Sequence, residues 1–410
     1  MTAADASYAF IDDARARRNV WVLAIAQALY GSSSIIIFTL GALTGQLLSE
    51  NKALATMPIT AYVIGAALAT YPASLYMHKV GRRLGFITGA GMSMLGTGLA
   101  IVSIWQGSFP LFCIAMLLAG QYQGFSQYYR FAAADTASEA FRPKAISRVL
   151  VGGLIAAFVG PQIAIYTKDL LAPLTFAGAF AAAMGLSVIS MMVLVFVDIP
   201  KPVAAHYDAA PRPLSRIVLR PHFIVAVFCA MTSYAIMNLV MTATPLAMIA
   251  CGFTVTDTAY IIQWHVVAMY APGFITGYLI TGFGVRKIVA LGLVLLAGCG
   301  IVALTGVDLG RFWLALVLLG VGWNFAFVGA TTMVTQCYRP EEKAQVQGLN
   351  DFLVFGSVAM ASLTSGILFQ MSGWDSVNLI IFPFVLMALG LIVWLTFYER
   401  SRDNMADLSA

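Results

Sequence analysis

The chain has 410 residues, of which 60% are hydrophobic and 10% charged, with a formal net charge of +5. So few charges cannot solvate the surface of a soluble protein of this length, and no room remains for a large water-facing domain. Crossing a hydrocarbon core of about 30 Å takes roughly 20 apolar residues per helix, so twelve spans with short loops use nearly the whole chain.

Residues 1–18 are polar, with Asp12, Asp13, Arg15, Arg17 and Arg18, and read as a cytoplasmic start rather than a cleavable signal peptide. Apolar runs follow near 19–48, 53–77, 84–106, 110–133, 145–166 and 173–198. A polar stretch then carries Lys201, Pro202, His206, Asp208, Pro211, Arg212, Pro213, Arg216 and Arg220. Six more runs lie near 222–250, 257–281, 287–307, 311–336, 345–371 and 375–398. This pattern predicts an all-α membrane protein of twelve transmembrane helices. It divides into a six-helix half at 1–198, a cytoplasmic linker at 199–221 and a second half at 222–410.

Charge placement supports that count. With the N-terminus inside, the cytoplasmic segments hold Arg15, Arg17, Arg18, Lys79, Arg82, Arg83, Arg142, Lys144 and Arg148 in the first half. They also hold Lys201, Arg212, Arg216, Arg220, Arg286, Lys287, Arg339, Lys343, Arg400 and Arg402, whereas the outer loops hold Lys52, Lys168 and Arg311. Both termini are therefore expected in the cytoplasm. Ser74 and Gly81 recur at one common offset as Gly277 and Gly284, and Arg142-Pro143 is echoed by Arg339-Pro340. Such a repeat fits two rocking halves with substrate bound between them near the midplane.

The loop Lys79-Val80-Gly81-Arg82-Arg83-Leu84-Gly85 resembles the signature between helices 2 and 3 of the major facilitator superfamily. This chain has His78 where the family usually has an acidic residue, and Ser74 where it has glycine. The resemblance implies the major facilitator fold, with two pseudo-symmetric halves.

Coordinating side chains inside a membrane are where substrate chemistry is sought. Of four histidines only His265 lies within a span, and Met269 follows it by one turn on the same face of helix 8. On helix 7, Met237 and Met241 form another i, i+4 pair. Counting residues at about 1.5 Å each places both pairs near mid-membrane. Thioethers with one imidazole make a soft, neutral set that suits Cu(I). Among 19 methionines, though, roughly one such Met pair arises by chance, and Met237/Met241 alone reads as packing. A buried histidine can equally hydrogen-bond a backbone carbonyl or an organic substrate.

The two motifs together resemble those of the CcoA-like copper importers, a bacterial branch of the superfamily. That resemblance implies a secondary transporter in the bacterial inner membrane, importing copper as substrate for assembly of the cbb3-type cytochrome c oxidase. Met237, Met241, His265 and Met269 would be its ligands, and a cytoplasmic copper acceptor its partner. Members associated with riboflavin belong to the same branch, so an organic solute such as riboflavin is the alternative. A membrane copper sensor or assembly factor is a third reading.

The five cysteines are odd in number and scattered, which is no disulfide framework. Cys251, Met248 and Cys229 mark a candidate metal relay along helix 7, with structural filler favoured for each cysteine. Helix 4 carries Gln121, Gln123, Gln127, Tyr128, Tyr129, Arg130 and Asp135, and helix 11 begins with Asn350 and Asp351. Gln123, Arg130, Asp135 and Asp351 are candidates for cavity lining or gating, with a snorkelling Arg130 as the plain alternative. No hydrolytic triad, phosphate loop or nucleotide fingerprint is present. A non-enzyme without prosthetic group or nucleic-acid partner is expected.

Overall fold

The computed structural model describes residues 13–133, 135–138, 141–200, 212–339 and 342–407. Residues 201–211 of the expected linker lie outside them. Among the described residues all regular structure is helical. The principal helices are α1 (Asp13–Leu48), α2 (Met57–Val80), α3 (Arg82–Trp105), α4 (Phe109–Ser126), α5 (Arg142–Thr167) and α6 (Ala177–Leu194). They continue with α7 (Pro221–Ala250), α8a (Val255–Tyr270), α8b (Gly273–Phe283), α9 (Val285–Leu304), α10 (Leu309–Thr335), α11 (Lys343–Leu379) and α12 (Ile381–Asp407).

Among the described residues nine segments are long and apolar enough to cross a membrane, or ten with α8a and α8b taken as one bent span. One of them, Gln345–Ser401, runs through most of both α11 and α12. α4 is a further apolar helix whose Gln121 and Gln123 dilute its hydropathy. The fold is thus the expected twelve-helix membrane bundle.

Local sequence sets the boundaries. Asn51, Ser108, Thr254 and Asp308 accept backbone N–H groups at helix starts, and Thr254 forms a full capping box with Asp257. The repeated glycines mark equivalent corners: Gly81 has φ 96° between α2 and α3, and Gly284 has φ 91° between α8b and α9. A side chain is strained in that left-handed region, so glycine is required at both. Gly120 meets the backbone of Tyr62 so closely that an added Cβ would stand 1.9 Å from its carbonyl oxygen. That is the small-residue crossing by which α2 and α4 pack without a hydrophobic drive between them.

Helix 8 is broken, with a bend of 41° between its two pieces. Pro272 has no N–H and interrupts the ladder. The carbonyl of Met269 accepts Asn324 Nδ2 from α10 at 2.7 Å, and Thr276 Oγ1 donates to Asn324 Oδ1 at 2.6 Å. One asparagine therefore splints both sides of the break.

Helices α1 to α6 pack mainly among themselves, through α1–α5, α2–α4, α3–α4 and α3–α6. Helices α7 to α12 do likewise, through α7–α10, α7–α11, α9–α10 and α8a–α10. Between the groups run α2–α11, α5–α8a and α1–α7. At the end of the bundle remote from the chain termini this seam is shut. Gln162 Nε2 donates to Gln263 Oε1 at 3.1 Å, Phe158 meets Trp264 edge-on, and Gly366 lies against Thr56 and Ala53.

At the termini end, ion pairs tie elements within each group. Arg82 pairs with Asp135 at 3.1 Å, and Arg15 and Arg18 reach Asp198. In the other group Arg286 and His222 share Glu399, and Arg212 grips Glu342 with its guanidinium fork. Asn19 on α1 bonds the backbone of Asp198 just beyond α6, and His222 on α7 bonds the Glu399 side chain on α12.

Candidate functional site

A cavity of about 90 Å³ lies between the two groups of helices. α1 contributes Tyr30, Ser34 and Phe38, spaced one turn apart along one face. Gln123 comes from α4, with Gly153 and Ala156 from α5. Tyr234, Met237, Asn238 and Met241 line it from α7, Val266, Met269 and Tyr270 from α8a, and Phe355 and Val358 from α11. No lining residue carries a charge.

Aromatic rings brace one another around this space. Tyr234 packs on Trp323 at 5.4 Å, on Phe327 at 4.9 Å and on Phe355 at 6.0 Å, while Trp323 and Phe327 stack with their planes 13° apart. Opposite, Tyr30 meets Tyr122 at 4.9 Å and Phe38 meets Tyr62 at 5.5 Å. Tyr62 donates its hydroxyl hydrogen to Ser34 Oγ at 3.1 Å. Asn238 Nδ2 donates to Val358 O at 3.3 Å, which fixes its amide against α11. Among the described residues Gln123 Oε1 is buried with no hydrogen-bond partner. A buried orphan acceptor facing a cavity is costly unless a ligand or solvent donor satisfies it.

Of the four residues proposed from sequence as ligands, Met237, Met241 and Met269 line this cavity. His265 is fully buried outside the cavity wall, and its Nδ1 donates to Leu316 O on α10 at 2.8 Å. That is the carbonyl-bonded alternative left open by the sequence. The sequence set α7 and α8 side by side, whereas α8a packs chiefly on α10 and α5.

Cys229 and Met248 are buried in the apolar core around α7, and Cys251 is exposed beyond the helix end. Gln123 is the one gating candidate in the cavity wall. Asp135 is engaged by Arg82. Arg130 is exposed, with its guanidinium 4.8 Å over the Phe131 ring. Asp351 feels the charge of Arg130 without a direct ion pair and accepts Asn350 Nδ2 at 3.1 Å.

Tyr30, Ser34, Phe38, Tyr234, Asn238 and Tyr270 were not singled out from the sequence. The Tyr30/Ser34 and Tyr234/Asn238 spacings put polar tips on one face of a span, and a search for intramembrane polar stripes would have found those four.

The profile of the Major Facilitator Superfamily matches residues 22–362 and 266–409. The chain is 47% identical over 382 residues, 92% of its length and 96% of the relative's, to the Riboflavin transporter RfnT of Brucella anthropi. It is 26% identical over 406 residues, 95% of this chain and 92% of the relative, to the Uncharacterized MFS-type transporter YddS of Bacillus subtilis. The human organic anion transporter MFSD10 (TETRAN) superposes with a TM-score of 0.67 at 15% identity, over 92% of this chain and 99% of that one, a likeness of fold alone.

These findings correct the copper reading. So similar a relative, named for riboflavin and matched nearly end to end, overturns copper import, copper as substrate and a part in cytochrome oxidase assembly. The physical reason is in the cavity wall. Three methionines share it with tyrosines, phenylalanine and amides, where a thioether packs as a polarizable apolar group against rings. Among the described residues no group of three or more His, Cys, Asp or Glu side chains could hold a metal ion.

Proposed function

The chain belongs to the Major Facilitator Superfamily, whose members are transporters rather than enzymes, and we propose that it carries riboflavin or a closely related uncharged flavin into the cell by alternating access. The observation that carries this reading is the cavity wall: braced aromatic rings and neutral hydrogen-bonding groups, with no charge. A flavin offers a flat three-ring system, one imide N–H between two carbonyls, and a chain of hydroxyls. The rings suit the Tyr234, Phe355 and Phe38 faces. The imide N–H suits Gln123 Oε1, and the hydroxyl chain suits Ser34, Tyr30 and Tyr270. The relative named for riboflavin supports the same class of solute.

By the positive-inside rule the termini end faces the cytoplasm of a bacterial inner-membrane protein. The sealed far end then makes this a cytoplasm-facing form. Residues 1–198 and 222–410 are the two halves that rock about the cavity, joined by 199–221. Its volume of about 90 Å³ is below the 300–1,000 Å³ or so of ordinary small-molecule sites, so the halves must part to admit a flavin. In this reading Arg130 and Asp351, which interact electrostatically, flank the cytoplasmic exit.

The test is riboflavin uptake in cells unable to make or import it, comparing wild type with Tyr234→Ala at matched membrane levels. Growth on low riboflavin with wild type, lost in the variant, is expected. A correctly inserted wild type that neither restores growth nor binds riboflavin would overturn the reading.

A further inference from the structure

A second concavity opens at the termini end, far from the central cavity. It lies where α7 begins and α12 ends, lined by Arg220, Pro221, His222, Leu395, Tyr398 and Glu399. Its charges are unevenly used. Glu399 is already engaged by Arg286 and by His222 Nδ1. Arg220 is exposed on the same cleft, and Arg216 stands exposed one turn before it. The second ring nitrogen of His222, Nε2, is buried without a hydrogen-bond partner among the described residues. With Arg286 balancing Glu399, the cleft retains the positive charge of Arg220.

The depth of the cleft is set by its aromatic neighbours. Trp394 and Tyr398 stack at 5.4 Å and stand 48% and 37% exposed on the outer face of α12. A tryptophan and a tyrosine exposed at the end of a span mark the headgroup level of a bilayer. Leu219 is 74% exposed at the same edge.

We propose that this cleft binds the phosphate of an anionic phospholipid headgroup, with Arg220 as the charged contact and the Tyr398 hydroxyl at the rim. The phosphate sits between the start of α7 and the end of α12, the two helices that bracket the second group. Basic clefts between spans at this level recognise anionic headgroups through the same chemistry. The Glu399 carboxylate faces the cleft too, and its engagement by Arg286 is what leaves the site open to an anion. Free inorganic phosphate offers the same group without acyl chains, and the exposed apolar rim of Leu219 and Trp394 favours the lipid.

The experiment uses the purified full chain in detergent, titrated with phosphatidylglycerol, phosphatidylcholine or inorganic phosphate while its thermal unfolding midpoint is followed. Native mass spectrometry counts the lipids retained. Wild type is expected to rise in midpoint with phosphatidylglycerol and to keep one such lipid. Arg220→Gln should weaken that response by about fivefold. Tyr398→Phe, which removes only the rim hydroxyl from a partly exposed ring and leaves every charge in place, should weaken it also and covers the case in which the arginine variant folds poorly. An equal response to phosphatidylcholine, an equal response to inorganic phosphate, or a phosphatidylglycerol response unchanged in both variants would each overturn the proposal. Riboflavin uptake is not its readout, so the two proposals fail independently.

Discussion

Replacing Gln123 by leucine removes the orphan acceptor from the cavity and keeps a side chain of similar size. One neutral hydrogen bond contributes about 0.5–1.5 kcal/mol net, which corresponds to a two- to twelvefold rise in the dissociation constant for riboflavin. Folding should not suffer in parallel. Gln123 Oε1 has no partner to lose among the described residues, and removing that unsatisfied buried atom offsets the loss of the amide's contact with the Tyr234 hydroxyl. The thermal midpoint is expected to hold or rise while binding weakens. Flavin fluorescence quenching on titration measures the binding, and a ligand pair identifies the contact. Riboflavin methylated at its imide nitrogen has lost the donor, so it should bind wild type several-fold more weakly than riboflavin and bind Gln123→Leu as well as riboflavin does. If methylation costs the same in both proteins, Gln123 is not the imide acceptor and the orientation proposed for the ring system is wrong.

Substituting Met237, Met241 and Met269 together by leucine conserves volume and should cost under about 1.5 kcal/mol per site in stability. Riboflavin transport should stay near the wild-type level, whereas a thioether-dependent transport would vanish. At the far-end seam, a Cβ on Gly366 would stand 2.4 Å from Thr56 Oγ1. Gly366→Val should therefore force the seam open, and a cysteine placed at Gln162 should label faster with an impermeant maleimide. Unchanged labelling would count against the seam as the closed gate.

At the termini end the hydrogen bonds of Arg212, with the Arg339 N–H, hold the Glu342 carboxyl down to about 2 against an ordinary 4.5. A carboxyl lowered in the folded state adds stability that is complete above the unfolded value and lost as pH falls through the folded one. Wild type should unfold at a higher temperature than Glu342→Gln at pH 6, and that gap should close as pH approaches 2. A gap that persists there would mean the carboxylate charge is not what Arg212 holds. Asn324→Ala should leave the Met269 carbonyl unsatisfied at the helix break and destabilise by about 1–3 kcal/mol, read as a lower thermal midpoint in detergent.

The number of spans, the repeat and the superfamily were legible in the residues because a membrane imposes a one-dimensional rule. Each crossing needs a long apolar run, and each inner loop needs its Lys and Arg. The paired glycines at 81 and 284 belong to the same kind of information, since a left-handed corner selects its residue locally. Cavity membership is a different kind. The sequence placed His265 and Met269 on one face, yet the packing of α8a on α10 set the imidazole against Leu316 O and left Met269 in the wall. Tyr30, Gln123, Tyr234 and Tyr270 stand on four different helices, and nothing in their spacing along the chain says that they meet. In a bundle whose helices are apolar nearly all round, hydropathy says that a helix crosses the membrane and not which of its faces turns inward. Only the fit of side chains between helices decides that.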